Sequence, residues 1–130
     1  MPQITGAVVV KDGSATPANV SYSPELLSSA ETVLVDRREA SREAQPTITV
    51  RFDRASANRK TFKPSREYAL PLVRSVNGVS VVTDIARAKV VYTLPSSMTQ
   101  QERKHLRAMV ANTEDVPVVL AGVEDLDPFF

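Results

Sequence analysis

The stretch Thr47-Ile48-Thr49-Val50-Arg51-Phe52 alternates without a break between polar and apolar side chains. Successive side chains of a β-strand point to opposite faces of the sheet, so this alternation predicts a strand with two different faces. Its apolar face carries Ile48, Val50 and Phe52. Its polar face carries two hydroxyls and one cation, from Thr47, Thr49 and Arg51. We therefore expect a sheet that packs on one side only.

Shorter strands are predicted on the N-terminal side of this segment. They are Ile4–Val10, Asn19–Tyr22 and Glu31–Arg37. The first two flank the turn Lys11–Ser14, whose Asp12-Gly13 pair tolerates the positive φ that hairpin turns require. They therefore predict an N-terminal hairpin, which we expect to end at Ser23-Pro24.

Extended segments also follow, after a polar turn over Asp53–Asn58. They are Arg59–Lys63, Glu67–Val73 and Asp84–Leu94. We expect Pro64 to interrupt the first of them, because a proline within a sheet suits an edge or a bulge. Asn77-Gly78 marks a turn inside a predicted loop, Arg74–Ser80.

The hydrophobic period changes after Pro95. Thr99-Gln100-Gln101-Glu102 matches a capping box and predicts a helix that continues through Asn112. Asp115 is expected to cap a second helix, with Pro117 in its first turn. The chain thus predicts an α+β fold in one domain over residues 1–130, with a meander of six or seven strands followed by two C-terminal α-helices.

Length and composition exclude several classes of protein. The chain has 130 residues, 42% hydrophobic and 24% charged, so it is long enough for a core and is not typical of a disordered tail. No apolar run approaches the roughly 18 residues of a membrane-spanning helix, and the start resembles no signal peptide. It contains no cysteine, which favours a cytosolic origin and excludes a disulfide framework.

Enzyme chemistry has little support. His105 is the only histidine, it stands among basic residues, and no nucleophile motif or glycine-rich phosphate loop accompanies it. Asp125 and Asp127 could hold a divalent ion, but a solvated acidic tail is the commoner role of such a pair. We expect no catalysis, no cofactor and no metal site.

The net charge of +1 hides a strong asymmetry along the chain. Residues 1–36 carry a net charge of −3, residues 37–107 carry +9 and residues 108–130 carry −5. The basic central segment indicates a surface that binds a polyanion. The acidic terminal segments could neutralise the basic charge of a neighbouring copy. Two free sheet edges also favour a symmetric dimer. The alternative is a monomer whose helices fold back on its own sheet.

The basic residues cluster on the predicted polar face. Strand alternation places Lys63 or Lys60 beside Arg51, and it places Arg87 and Lys89 together on one side of a later strand. Cations neutralise phosphates, while hydroxyl groups can form hydrogen bonds with bases, so the face is typical of a nucleic-acid platform. A solvated, charged sheet face remains the alternative.

Three parts of the chain resemble one known family. They are Thr47–Arg51 with Asn58-Arg59-Lys60, Phe62 and Lys63; Thr99–Arg103 at a helix start; and the ending Val123–Phe130. In order and spacing they are similar to the coat proteins of the small single-stranded RNA bacteriophages (leviviruses), most of all the Q-beta group. The resemblance runs from about Thr47 to the C-terminus, and length and strand order extend it over the whole chain.

The resemblance implies an N-terminal β-hairpin, a five-stranded antiparallel sheet and two α-helices that cross onto a partner, in an intertwined dimer with one continuous sheet. It implies a T=3 icosahedral shell around the genomic RNA, assembled in the bacterial cytoplasm, and an operator hairpin bound as replicase repressor and packaging signal. A non-assembling dimeric RNA-binding regulator remains the alternative.

The resemblance also assigns RNA-contacting positions. They are Thr47, Thr49, Arg51, Asn58, Lys60, Lys63, Arg87 and Lys89. Arg87 stands where better-known members have a tyrosine that stacks on a base, and Lys89 where they have a polar or acidic residue, so hairpin preference is expected to differ or weaken. Loop Arg74–Ser80 corresponds to the loop around the symmetry axes, and without cysteine its contacts must be noncovalent.

Overall fold

Strands occupy most of the chain up to residue 95, and helices most of the remainder. The computed structural model describes residues 4, 6–28, 30–58 and 60–128, so Thr5, Arg59, Phe129 and Phe130 of the predicted segments lie outside the described residues. The strands are β1 (Val8–Lys11), β2 (Asn19–Leu27), β3 (Glu31–Val35), β4 (Thr47–Asp53), β5 (Thr61–Val76), β6 (Val79–Val91) and β7 (Leu94–Pro95). A 3-10 helix spans Arg42–Ala44, and the α-helices are α1 (Gln100–Thr113) and α2 (Pro117–Glu124).

The chain forms two compact units, Met1–Thr93 and Leu94–Phe130.

The strands β1 to β6 are antiparallel neighbours in chain order. The first half of β2 pairs with β1, and its second half, from Ser23 onwards, pairs with β3. The result is an N-terminal hairpin that continues into a five-stranded sheet, so the predicted architecture of hairpin, sheet and two terminal helices is confirmed.

The N-terminal hairpin differs from prediction in two details. First, β2 does not end at Ser23-Pro24 but continues to Leu27, with an irregular register between Pro24 and Leu26. A proline is tolerated there because, over the described residues, the pairing of β1 with β2 ends at Tyr22 and leaves one side of β2 without a partner. Second, Gly13 has no positive φ. The loop is held instead by the Asp12 carboxylate, which accepts hydrogen bonds from Ser14 and from the Ala18 amide.

Two predicted interruptions in the long β5–β6 hairpin are wrong. Strand β5 runs unbroken through Pro64 and Pro71, because each proline lies where a neighbouring strand has ended: Pro64 beside the end of β6, and Pro71 beyond the start of β4. The segment Arg74–Ser80 is not an open loop either. Its strands join at a two-residue turn, Asn77-Gly78, in which both residues have positive φ (52° and 79°).

The core of the sheet unit lies around β3. Among the described residues the buried apolar side chains are Val20, Leu34, Val35, Ala44 and Ile48. The predicted strand Glu31–Arg37 ends at Val35, because Asp36 turns the chain: its amide donates to Pro46, and its buried carboxylate accepts a bidentate pair from Arg38. A second bidentate pair, between Arg42 and Glu25, fixes the 3-10 helix to β2.

We expect the Asp36–Arg38 pair to make folding sensitive to acid. The hydrogen bonds from Arg38 outweigh burial and hold the pKa of Asp36 below its ordinary value of 3.8. The carboxylate therefore stabilises the fold fully above the unfolded pKa, and this contribution is lost as the pH falls through the lower folded pKa. In urea unfolding at several pH values, Asp36→Asn should be less stable than wild type at pH 7, and the gap should close progressively as the pH falls below 3.8.

An Arg38→Met background provides the control for this prediction, because it removes the cause of the shift. There the acid-dependent part of the Asp36→Asn effect should shrink. An equal dependence on pH in both backgrounds would assign the effect to another group.

The helical unit begins as the capping box predicts. Thr99 Oγ1 accepts a hydrogen bond from the Glu102 amide at 3.2 Å and lies 3.0 Å from Glu102 Oε1. For α2 the predicted cap is wrong, since Val116 rather than Asp115 precedes the helix and gives no side-chain cap. Pro117 is the first residue of α2, where its missing N–H costs nothing. Over the described residues no helix is long and apolar enough to cross a membrane.

Removal of the α1 cap should lower stability measurably. Thr99→Ala leaves the Glu102 amide without its acceptor, and such caps contribute about 1 kcal/mol. Denaturant titration followed by far-UV circular dichroism should show that loss. Ser97→Ala, at an exposed position before the cap, should change the unfolding free energy by less than about 0.5 kcal/mol.

Candidate nucleic-acid interface

The polar face of β4, β5 and β6 is built by the strand register. Opposite residues in neighbouring antiparallel strands share a face, so each row across the sheet can be followed from strand to strand. The rows on this face are Thr47–Ala69–Arg87, Thr49–Glu67–Lys89, Arg51–Ser65–Val91 and Asp53–Lys63. The side chains of the last three rows line a shallow cavity of about 200 Å³. We call these four rows the polar face.

The structure unites most of the predicted RNA-contacting residues. Thr49, Arg51, Lys63 and Lys89 line the cavity together. Thr47 and Arg87 lie in the adjacent row of the same face. Asn58 and Lys60 are exposed in the connection between β4 and β5 and are not among the cavity-lining residues. The alternation of side chains left open whether Lys60 or Lys63 lies beside Arg51. The structure places Lys63 there.

Sequence reasoning missed the carboxylates of this face. Asp53 and Glu67 line the cavity, and Glu31 of β3 stands opposite Arg51. Glu31 lies 3.8 Å from the Arg51 guanidinium, and Glu67 lies 3.6 Å from that of Arg87. Strand parity could have found both, since Asp53 shares the parity of Arg51 on β4 and Glu67 that of Lys63 on β5. From the sequence, only the basic residues of these strands were assigned to a face.

The four cations of the polar face differ in whether they form an ion pair with a carboxylate. Arg51 and Arg87 each have a carboxylate neighbour, whereas Lys63 and Lys89 form no ion pair within the part of the chain that the structure describes. The two arginine pairs are largely exposed, with 60% and 58% of the arginine side chains accessible, and such pairs contribute little stability. A phosphate can therefore compete for either guanidinium, while binding to the two lysines requires no ion pair to be broken.

The residues considered for metal binding or catalysis all belong to the helical unit. No group of histidine, cysteine, aspartate and glutamate residues suited to a metal ion occurs among the described residues, and Asp125 and Asp127 lie exposed after α2. His105 lines an open groove of about 460 Å³ beside α1, together with the apolar side chains of Met98, Leu106 and Met109. That groove is suited to packing.

Solved structures of bacteriophage and levi-like virus particles share this fold. The chain is similar to the virus-like particle of bacteriophage ESE058 (TM-score 0.84, 21% identity, 97% of this chain and 98% of that chain). It is also similar to that of Beihai levi-like virus 21 (TM-score 0.87, 15% identity, 99% of each chain). The capsid protein of bacteriophage GA matches with a TM-score of 0.73 and 18% identity over 95% of this chain and 96% of that chain. At identities this low, the similarity shows the fold alone.

The family follows from the sequence itself. The family model described as "Levivirus coat protein" matches residues 2–130. This chain therefore belongs to the levivirus coat protein family, and the resemblance drawn from its hairpin and helix motifs is confirmed. The role of that family is structural. No curated protein sequence matches the chain.

Proposed function

We propose that this protein dimerises, assembles into a closed icosahedral shell around a single-stranded RNA genome, and binds an RNA hairpin on its polar face. Membership of the levivirus coat proteins supports the structural role. The observation that carries the RNA-binding role is the cavity in which Thr49, Arg51, Lys63 and Lys89 meet. Cations and hydroxyls on one open sheet face are suited to phosphates and to the edges of unpaired bases.

Dimerisation is supported by the surface that the chain leaves uncovered. No residue of α1 or α2 is buried, and Leu70 on the sheet is 52% exposed. Apolar side chains left exposed on each unit can be buried by a second copy.

The edge of the sheet supplies the geometry for a dimer. Strand β6 ends the path of neighbouring strands, so among the described residues its outer edge has no partner over Val79–Val91. Pairing two such edges around a twofold axis would satisfy both sets of backbone groups and make one continuous sheet. The polar faces of two copies would then form one surface for RNA. Assembly would take place in the bacterial cytoplasm, where the genome is available.

Arg87 is expected to modify hairpin recognition. In our proposal it replaces a stacking tyrosine, and the Glu67 carboxylate 3.6 Å away competes for its guanidinium. An arginine can stack through its guanidinium plane, but it adds charge that is independent of sequence. We therefore expect a smaller preference for one operator hairpin over others.

Particle formation tests the proposal. Protein expressed in bacteria should form uniform closed shells by negative-stain imaging, and sequencing of the enclosed RNA should reveal enrichment of a hairpin-containing segment. The same hairpin should bind dimers more tightly than a scrambled one, and it should repress a replicase-start reporter. Dimers that bind RNA but never form shells under any assembly condition would support the non-assembling regulator instead.

A further inference from the structure

The charge of the polar face is much smaller than its basic residues suggest. Its four rows carry four cations, from Arg51, Lys63, Arg87 and Lys89. Two carboxylates lie in the same rows, from Asp53 and Glu67, and Glu31 of β3 extends the row of Arg51. Three negative charges thus offset four positive ones, which leaves this set of residues with a net charge of only +1. Residues 37–107 together carry +9, so most of that charge lies elsewhere.

Each of these carboxylates stands opposite a cation in the neighbouring strand. The opposed positions are Glu31–Arg51, Asp53–Lys63 and Glu67–Lys89. Residues directly opposite each other in antiparallel strands are the closest neighbours across the sheet. A phosphate that reaches any of these three cations therefore also approaches a carboxylate. The arrangement opposes binding that depends on phosphate charge alone.

The two arginines of the polar face are in direct contact with carboxylates. Nη2 of Arg51 lies 3.8 Å from Oε2 of Glu31, and Nη1 of Arg87 lies 3.6 Å from Oε1 of Glu67. Ion pairs as exposed as these contribute little to the stability of a fold. Their larger consequence concerns anions, because a phosphate must displace the carboxylate, or accept its repulsion, before it can bind the guanidinium.

This competition affects different RNA molecules to different degrees. A hairpin whose bases reach the hydroxyls of Thr47 and Thr49 is held in one orientation, and in that orientation its phosphates can lie beside Lys63 and Lys89. RNA without such base contacts is held by its phosphates alone, and in many orientations a phosphate meets an arginine that is already paired. The carboxylates therefore weaken binding of the second kind more than binding of the first.

We propose that Glu31 and Glu67 determine the specificity of the polar face by pairing with Arg51 and Arg87, which restricts the sequence-independent binding of RNA phosphates. The inference rests on the proposed RNA-binding function and adds a determinant of specificity to the same face. Arg87 by itself would reduce the preference for one hairpin, and its pairing with Glu67 limits that reduction.

The test compares wild type with the double variant Glu31→Gln and Glu67→Gln. Glutamine keeps the length of the side chain and removes its charge. Filter binding measures the affinity for a uridine oligomer, which has no hairpin, and for the hairpin segment recovered from the particles. Affinity for the oligomer should rise about tenfold, and the slope of log affinity against log salt should steepen by about 1.4 for two further phosphate contacts. Affinity for the hairpin should rise less than about threefold, so the preference for the hairpin falls.

Glu39→Gln with Glu43→Gln is the control matched in charge. Both residues are exposed between β3 and β4, and neither forms an ion pair within the residues that the structure describes. The control changes the net charge of the chain equally, so its affinity for the oligomer should change by less than about twofold. A rise equal to that of the double variant would assign the effect to net charge and overturn the inference.

A second background tests whether the carboxylates act through the arginines. With Arg51→Ala and Arg87→Ala in place, the two glutamine substitutions should change the affinity for the oligomer by less than about threefold. A full tenfold effect there would overturn the role of the ion pairs. In the original background, an unchanged affinity for the oligomer, or an equal rise for the hairpin, would refute the inference while leaving the proposed function intact. A wild-type protein that binds neither RNA would refute the proposed function, and the inference with it.

Discussion

RNA affinity is expected to fall about 100-fold when Lys63→Ala and Lys89→Ala are combined, because each lysine should contribute about tenfold through one charge-assisted phosphate contact. Both side chains line the cavity of the polar face, and neither forms an ion pair within the described residues. Their charges are therefore available to phosphate without displacement of a carboxylate. Arg51→Ala should have a smaller effect, since Glu31 lies 3.8 Å from its guanidinium.

The salt dependence of binding distinguishes phosphate contacts from other losses. Each phosphate contact to single-stranded RNA should contribute about 0.7 to the slope of log affinity against log salt, so the double variant should lose about 1.4. Filter binding over a salt series measures this, and dimers should persist. The control variant Lys11→Ala with Lys104→Ala removes the same charge from β1 and α1. If the control loses as much affinity and slope, the RNA lies elsewhere.

Leu34→Ala is expected to lower the free energy of unfolding by about 3 kcal/mol, the usual cost of a cavity left by a buried leucine. Leu34 is only 2% exposed, and few apolar side chains of the described chain are buried, so the loss falls on a small core. Urea unfolding at a fixed protein concentration measures the change, because dimerisation would make stability depend on concentration.

Leu27→Ala is the matched control for this core. Leu27 lies in the neighbouring strand β2 and is 54% exposed. Its truncation should cost less than about 1 kcal/mol. Similar losses for both leucines would mean that Leu27 is covered in the assembled protein to the same degree as Leu34, and the described core would then be an incomplete account of what stabilises the fold.

The alternation of polar and apolar residues predicted a strand reliably where one face of the strand is packed and the other is open. Thr47–Phe52 predicted β4 to within one residue, and Thr99 with Glu102 predicted the start of α1. Boundaries failed where a proline or a turn residue was taken as an end. Pro64 and Pro24 lie inside strands, because the pairing of β5 with β6 stops at Ser65 and, over the described residues, that of β1 with β2 stops at Tyr22. Where a pairing stops depends on the neighbouring strand and not on the proline itself.

Only part of the candidate site could be predicted, because the sequence shows which side chains of one strand share a face but not how neighbouring strands pair. Parity along each strand is local, so Thr49 and Arg51 were assigned to one face from sequence alone. Their position beside Lys63 and Lys89 depends on the register between strands. Register also brings Glu67 opposite Thr49 and next to Lys89, which gives the face a mixed charge. Whether these residues contact RNA stays a prediction.

The amino-acid sequence by itself determined the class of fold, the strand with two unlike faces, the capped helix and the family, because each depends on local periodicity or on motifs at short spacing. The tertiary structure alone decided which cations are paired, how nearly the carboxylates of the polar face offset its cations, and how few side chains the chain buries. Those properties arise between residues far apart in sequence, where pairing register and burial, and no local preference, determine which side chains meet.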